Sequence, residues 1–510
     1  MRGPHNILRL IRTGATFERT GAMGAVLDAM EAPPRLRLAA RVLGWPFRWL
    51  GYAGDPDLPP ITRAITALGP AYIKFGQILS TRADVVGAEL ADQLRMLQDR
   101  LPPFPTPIAK EIVEAELRQP VDALFSEFSE PVAAASIAQV HRARIRENGQ
   151  EVAVKVLRPG IGAAFRRDID AFHFAASIIE ALSPGSRRLR PRDVVSHFES
   201  VVTGEQDMRL EAAAASEFAE NTREDANFQI PAPHWHLSGR RVLTADWAEG
   251  LPMGDPQALI AAGHDVTHIA TRVIQLFLQH ALRDGFFHAD MHHGNLKVAR
   301  NGDVIAYDFG IMGEIDEYTR RVYAEILMGF IQRDYRRVAR VHFEAGYVPR
   351  DRDEAQFARA LRAVGEPIFG ADASRISMAN LLAYLFEVTE RFGMRTQTQL
   401  ILLQRTMVVV EGVARSIDPQ LNIWEAARPV VSDYIKSNLG PRALAGDMAK
   451  VAQTVGRFGP LLPRIVEQAL WERAHPEDRN PQPQTRPDIP VWLVAGLSLV
   501  AGAAIGLVIG

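Results

Sequence analysis

Two short runs, Phe286–Asn295 and Val304–Gly310, restrict what this chain can fold into more than any other part of it. They set His288, Asp290, Asn295 and Asp308 in the order H-x-D-x-x-x-x-N and then D-F-G. Val304–Tyr307 is apolar and follows the turn formers Asn301, Gly302 and Asp303, so it reads as a short hairpin strand that delivers Asp308 to a cleft. Phosphoryl transfer from ATP needs one carboxylate to position the acceptor hydroxyl, and an amide oxygen with a second carboxylate to hold Mg²⁺ on the phosphates. Asp290, Asn295 and Asp308 are those residue types in that order. A lone D-F-G arises by chance and most aspartates merely face solvent, so the weight rests on the ordered combination.

Composition narrows the alternatives. The chain has 510 residues, 47% of them hydrophobic and 23% charged, which is enough for several globular units. A formal net charge of −2 disfavours a nucleic-acid partner held by a global positive excess. With no cysteine, disulfides, thiolate metal sites and cysteine nucleophiles are excluded. No GxGxxG, GxxxxGK[ST] or GxSxG occurs, so dinucleotide-fold, P-loop and serine-hydrolase readings lack their key residues.

Upstream of these runs, Gln139–Arg146 and Glu151–Arg158 alternate and are joined through Asn148-Gly149, a hairpin signal. Lys155 lies in the second strand, and the helix expected over 204–221 offers Glu211, Glu205 and Asp207 as carboxylate partners. Alone, such residues read as a solvated lysine and an acidic helix face; beside the D-F-G run they read as phosphate ligand and partner. A further helix should start at Gly69-Pro70 and continue to about Arg100, before Pro102, Pro103, Pro105 and Pro107 break it. The picture is α+β, a small sheet-bearing lobe ahead of a larger helical one.

With these residues in view, the chain resembles the UbiB family of atypical protein-kinase-like proteins, which act in ubiquinone biosynthesis. Four motifs carry the resemblance between about Ile61 and Asn438: Lys74-Phe75-Gly76-Gln77 (KxGQ), the alanine-rich Ala133–His141, Glu205-Gln206-Asp207 (ExD), and His288–Gly310. The resemblance implies a bilobal protein-kinase-like fold with an N-terminal helical extension, and ATP and Mg²⁺ as cofactors. It implies Asp290, Lys155 and Glu211 as catalytic residues, with Lys155 paired to Glu211. Ala133, Ala134, Ala135, Ser136, Ile137, Ala138 and Lys155 would bind the nucleotide, and Asn295 and Asp308 the metal. Lys74, Gln77, Glu205 and Asp207 would be regulatory, with Lys74 paired to Glu205, and Leu243–Gly250 would be the hinge strand at adenine.

Three departures from ordinary protein kinases shape the expected activity. Alanine carries a Cβ that restricts φ > 0, so an alanine loop should be stiffer than a glycine loop. Ala289 stands where an ordinary kinase has the arginine of H-R-D, and no A-P-E follows Gly310, which argues against phosphorylating a peptide in trans. The KxGQ helix is implied to occupy the room of a protein substrate, favouring ATP hydrolysis or action on a lipid-like small molecule. Two alternatives remain: a small-molecule phosphotransferase of the aminoglycoside-kinase type, and a nucleotide-binding scaffold without turnover. His288 is read as an organiser of the loop, with His292 and His293 unassigned.

Ile489–Gly510 is 22 residues without a charge and suits one transmembrane helix. Arg464, Arg473, Arg479 and Arg486 precede it, so the positive-inside rule puts the large domain on the cytoplasmic side of an inner membrane. Gly502 and Gly506 form a GxxxG, a candidate face for a homodimer. The N-terminus lacks a secretory apolar core, so export is not expected. Expected partners are membrane lipids and ubiquinone-biosynthesis enzymes or intermediates, with no nucleic acid. The expected segments are 1–60 (basic, amphipathic), 61–107 (KxGQ extension), 108–250 (N-lobe), 251–440 (C-lobe), 441–488 (helical segment and Pro-rich linker) and 489–510 (membrane helix).

Overall fold

The computed structural model describes residues 5–24, 45–80, 90, 93–94, 97, 102–182, 191–370, 388, 391–394 and 398–438. The chain divides into two compact units: the described residues of Met1–Ala213 with Ala232–Trp247, and those of Ala214–Pro231 with Ala248–Arg486. The expected lobe boundary was 250/251, whereas the units part at Trp247/Ala248 and residues 214–231 join the second.

In the first unit, α1 (His5–Thr20), α2 (Pro60–Leu68), α3 (Pro70–Leu79), α4 (Thr106–Leu117) and the short α5 (Val121–Leu124) lead to the sheet. Strands β1 (Phe125–Ala134), β2 (Ala138–Ile145) and β3 (Glu151–Leu157) are followed by α6 (Ile161–Leu182), α7 (Pro191–Glu205) and α8 (Met208–Asn221). The intervening β4 (Phe228–Gln229) belongs to the second unit, and β5 (Val242–Asp246) completes an antiparallel sheet of order β1-β2-β3-β5. Period-two alternation sets the faces of β3: Val152, Val154 and Val156 are wholly buried in the core beneath α4, and Lys155 projects from the other face. Burying each valine stabilises the sheet by roughly 1.5–3 kcal/mol. The β2–β3 hairpin turns over Asn148-Gly149, with Gly149 at φ 72° and Ile145 N–H donating to Gln150 O at 2.9 Å.

Helix α3 begins where expected, with Pro70 at its first position after Gly69 at φ 105°. It closes at Leu79, where the Ser80 N–H donates to Gly76 O (2.8 Å) and its hydroxyl to Gln77 O (2.6 Å); the expected continuation over 81–89 lies outside the described residues. Of the stretch 81–100, Leu90, Gln93, Leu94 and Leu97 are the described residues. Leu94 and Leu97 are buried against Gly76, where a Cβ would stand 2.5 Å from a Leu97 methyl. Phe75 stacks on Phe172 of α6 (4.8 Å) and meets Phe198 of α7 edge-on (5.0 Å). These ring contacts fix α3 on a helical layer.

In the second unit, β6 (Leu251–Pro252), β8 (Leu296–Val298) and β9 (Val304–Ala306) join β4 in a sheet of order β4-β9-β8-β6, and β7 (Phe286–His288) pairs with β10 (Met312–Glu314). The helices are α9 (Pro256–Ala261), α10 (Val266–Gln279), α11 (Glu317–Ile331), α12 (Tyr335–Glu344), α13 (Glu354–Gly370), α14 (Thr398–Ile417) and α15 (Ile423–Asn438). Asp255, Asp265, Asp316 and Asp334 each accept the N–H three residues on at the starts of α9, α10, α11 and α12. Each such cap is worth about 1 kcal/mol. Helix α10 packs on α14 and α15, and its Val273, Ile274, Leu276, Phe277 and Leu278 are fully buried.

Among the described residues no helix is long and apolar enough to cross a membrane. The expected membrane helix Ile489–Gly510, its GxxxG and the linker 441–488 lie outside the described residues. Within the segment 1–60, expected to be basic and amphipathic, Trp45–Leu50 is a 3₁₀ turn with Trp49 exposed.

Candidate active site

In the first unit, Lys155 Nζ donates to both oxygens of Glu211, at 2.8 and 3.0 Å. Strand β3 sends the lysine off the face opposite its valines, and Glu211 lies in the first turn of α8. Both side chains are largely withdrawn from water, 15% and 11% exposed, so the attraction between them is only partly screened. The alanine-rich segment is divided by the fold: Ala133 and Ala134 end β1, Ala138 opens β2, and Ala135, Ser136 and Ile137 form the turn. Ala135 N–H donates to Ala138 O at 2.8 Å, and Arg158 clasps the turn, its backbone N–H on Ile137 O (2.8 Å) and its Nε on Ala135 O (2.9 Å). None of Ala133–Ala138 has positive φ, in line with the restriction expected of alanine. The expected hinge, Leu243–Gly250, is β5 followed by the point where the units part.

Lys74 of α3 pairs with Glu205 at the end of α7 at 2.8 Å, the carboxylate side chain being 6% exposed. Asp207 does not join that pair. It accepts the Arg209 N–H (3.2 Å), as a carboxylate does just ahead of a helix, and binds the Arg209 guanidinium at 2.9 and 2.6 Å, which holds its carboxyl below the usual range. Gln77 is half-buried on α3.

In the second unit, the loop from β7 to β8 carries Asp290 and Asn295. Asn295 is buried, and its Nδ2 donates to the Asp290 carbonyl at 3.0 Å and toward Asp290 Oδ2 at 3.4 Å. The amide nitrogen is thus engaged within the loop, and the amide oxygen is the end of the side chain able to ligate a cation. His288 is buried: its Nδ1 accepts the Asp290 N–H (3.2 Å), and its Nε2 faces Tyr307 O (3.4 Å). Desolvation holds its imidazole below the ordinary range and keeps it neutral, the tautomer these two contacts require. His292 Nδ1 accepts the Gly294 N–H (2.8 Å), which leaves the proton on Nε2, 3.7 Å from Asp290 Oδ2. At Gly294 a Cβ would sit 2.5 Å from the His292 ring and would displace it. His293 lies over Gly254.

Strand β9 is wholly buried and delivers Tyr307 and Asp308 beside this loop, through a turn in which Gly302 has φ 90°. Tyr307 N–H donates to Asn295 O (3.1 Å) and its hydroxyl to Gly294 O (2.6 Å). Asp308 adopts φ 65°, a left-handed conformation that a residue other than glycine holds at a cost of about 1–2 kcal/mol. Phe309 is buried against Phe218 and His288 and anchors that turn. The donor set, one amide oxygen and one carboxylate, suits Mg²⁺, which takes one or two protein ligands and completes its shell with water and phosphate oxygens. Among the described residues no three His, Cys, Asp or Glu side chains gather as a metal cage.

The structure thus brings together Lys155 with Glu211, Lys74 with Glu205, and Asp290 with Asn295, and it keeps Asp207 apart on Arg209. Sequence reasoning missed Arg158 and Tyr307. Arg158 follows an alternating strand and reads as its solvated end. Tyr307 stands directly before D-F-G, and a hydroxyl at the end of an otherwise apolar strand was the available signal.

Comparisons with known proteins place the chain in a family. Residues 96–342 match the ABC1 atypical kinase-like domain, and residues 361–422 match the UbiB helical domain. A protein of Shewanella piezotolerans described as probable protein kinase UbiB is 39% identical over 409 residues, 79% of this chain and 74% of the relative. Among solved structures, a chain in the complex of Rv3197 with erythromycin from Mycobacterium tuberculosis aligns at a TM-score of 0.49 and 23% identity, covering 70% of this chain and 90% of that one. Identity of that extent, over most of both sequences, makes this chain a member of the ABC1/UbiB family of atypical kinase-like proteins.

Proposed function

We propose that this protein binds MgATP and supports ubiquinone biosynthesis as a membrane-anchored atypical kinase or ATPase. It acts by hydrolysing ATP or on a lipid-like small molecule, not by phosphorylating proteins. The observation that carries the reading is the Lys155–Glu211 pair: an ammonium held by both oxygens of one carboxylate, on the face of β3 opposite its buried valines. A lysine so held is fixed in orientation, which places an ammonium charge where phosphate oxygens could meet it. Asn295 and Asp308 would hold the metal, which supplies positive charge at the phosphates. Asp290 would accept the proton of the attacking water or hydroxyl as the oxygen–phosphorus bond to the γ-phosphate forms and ADP leaves. Ile489–Gly510 is the proposed anchor, with the kinase-like part on the cytoplasmic side of the inner membrane.

The test uses the full chain in anionic lipid nanodiscs, beside Asp308→Asn. Asparagine tolerates the left-handed backbone of this position, so the variant removes charge without adding strain. The expected outcome is MgATP-dependent thermal stabilisation with phosphate release, both lost in Asp308→Asn. Stabilisation without release would favour the scaffold reading, and no stabilisation at all would overturn the assignment of nucleotide binding.

A further inference from the structure

Ala289, the residue before Asp290, is buried and tied by both of its backbone groups. Its N–H donates to Ile311 O (3.0 Å), just past the D-F-G triplet. Its carbonyl accepts from Thr406 Oγ1 (3.1 Å) of α14, 117 residues further along the chain. Thr406 is fully buried and also lies 2.9 Å from Leu402 O, the carbonyl four residues back that a helical threonine ordinarily takes. Its single proton is therefore shared between a helix carbonyl and the catalytic loop. The neighbours of Thr406 on that face of α14, Leu403, Met407 and Val410, are buried in the same core as Phe287, Ala289 and Met291. A hydroxyl within such an apolar stripe is unfavourable unless it finds partners, and one of those it finds is the loop.

We infer that Thr406 is a positioning residue for the catalytic loop, through which the helical segment matched at 361–422 sets the backbone ahead of Asp290. This rests on the proposed role of Asp290. It also gives a physical sense to Ala289: with no arginine there to be held by an activation-loop phosphate, the loop is fixed through its main chain, from Ile311 on one side and α14 on the other. The Thr406 hydroxyl does not act on the substrate. It fixes where the Asp290 carboxylate stands, so its loss should lower turnover and leave nucleotide affinity alone.

The experiment compares Thr406→Val, which swaps the hydroxyl for a methyl of equal volume, with Thr406→Ser, which keeps the donor, both in the full chain. Two readouts are taken: amide hydrogen exchange in peptides covering residues 286–295, and kcat and KM for ATP in phosphate release. Loss of one buried hydrogen bond predicts about five- to tenfold faster exchange in that loop for Thr406→Val, kcat lower by a similar factor, KM unchanged, and recovery in Thr406→Ser. If Thr406→Val does not fold, Thr406→Cys keeps the volume with a weaker donor and should show the same loop effect at smaller amplitude. Unchanged loop exchange in the folded variant overturns the inference, as does a serine variant as impaired as valine, which would make the effect one of packing. A wild type that releases no phosphate would sink the proposed function instead, and the exchange comparison would still decide the role of Thr406.

Discussion

The alanine turn of the first unit and the proposed catalytic loop of the second are both short connections between strands, yet they are held in different ways. Ala135–Ile137 is held within the first unit: by a backbone bond across the turn, by the arms of Arg158, twenty-three residues from Ala135, and by Ile137, which packs against the clusters of Ile65 and Tyr72 and of Met208 and Leu243. Phe286–Asn295 is fixed from several directions, by His288 and Asn295 within it, Tyr307 beyond it and Thr406 far beyond. In the alanine turn a Cβ on each residue and a neighbouring guanidinium add to the packing of Ile137. The catalytic loop contains glycine, two adjacent histidines and an aspartate that must stand clear of its own main chain, and its order is imported from the second unit's core.

If that contrast is right, the largest effect should come from removing charge without touching either loop. Lys155→Met should lower phosphate release by about two to three orders of magnitude, as loss of one preorganised donor does, while hydrogen exchange at 286–295 stays as in the wild type. Faster exchange there would mean that the two regions are not independently held.

Next in size is an acid effect on the core that carries the catalytic loop. Burial pushes the His342 imidazole down to about 4, with its Nδ1 on Val338 O (2.8 Å) and its ring against Phe357. The unfolded chain takes up this proton near pH 6.5 and the folded one near pH 4, so stability is whole above 6.5 and falls as the pH drops through that window. The loss amounts to about 3 kcal/mol. Urea midpoints of wild type and His342→Leu should diverge in slope between pH 6.5 and 4, the leucine variant being the flatter, and parallel curves would refute the assignment. His280 and His288, both depressed by burial, add with the same sign.

A third, smaller effect probes the catalytic loop from the strand side. Tyr307→Phe removes the hydroxyl that donates to Gly294 O and retains the ring beside Lys297. Phosphate release should fall about fivefold, the share of one hydrogen bond. Burial raises the phenol further above its ordinary range, so the wild-type donor is intact at neutral pH and the difference should not vary with pH near 7.

The same contrast explains what could be read without coordinates. Strand period two put Lys155 off the valine face, and the residue types of H-x-D-x-x-x-x-N and D-F-G announced a carboxylate and amide set. Spacing alone could not show that Asp207 would be taken by Arg209, because an aspartate two residues from an arginine and just ahead of a helix has a local partner that outcompetes a distant lysine. Nor could it mark Leu79 as the end of α3, since the apolar repeat runs on past it. Thr406 was the least legible of all. On the apolar face of a helix a threonine looks like another β-branched core residue, and its acceptor is a main-chain carbonyl, which no side-chain pattern marks.

The smallest expected effect separates the two modes of fixation most cleanly. Arg158→Met keeps an apolar stem beside Phe104 but removes the Nε donor on Ala135 O and the Nη1 donor on Pro102 O. Arg158 is partly open to solvent, so its hold on the turn is discounted to about 1 kcal/mol, roughly a fivefold weaker affinity for MgATP with kcat little changed. Exchange should quicken in peptides covering 133–138 and stay unchanged at 286–295, the mirror image of Thr406→Val. A locally fixed turn admits no other pattern, because its restraints end within the first unit. Arg158→Met variants that loosened 286–295, or left 133–138 as it was, would show that the alanine turn draws its order from somewhere other than its own neighbours.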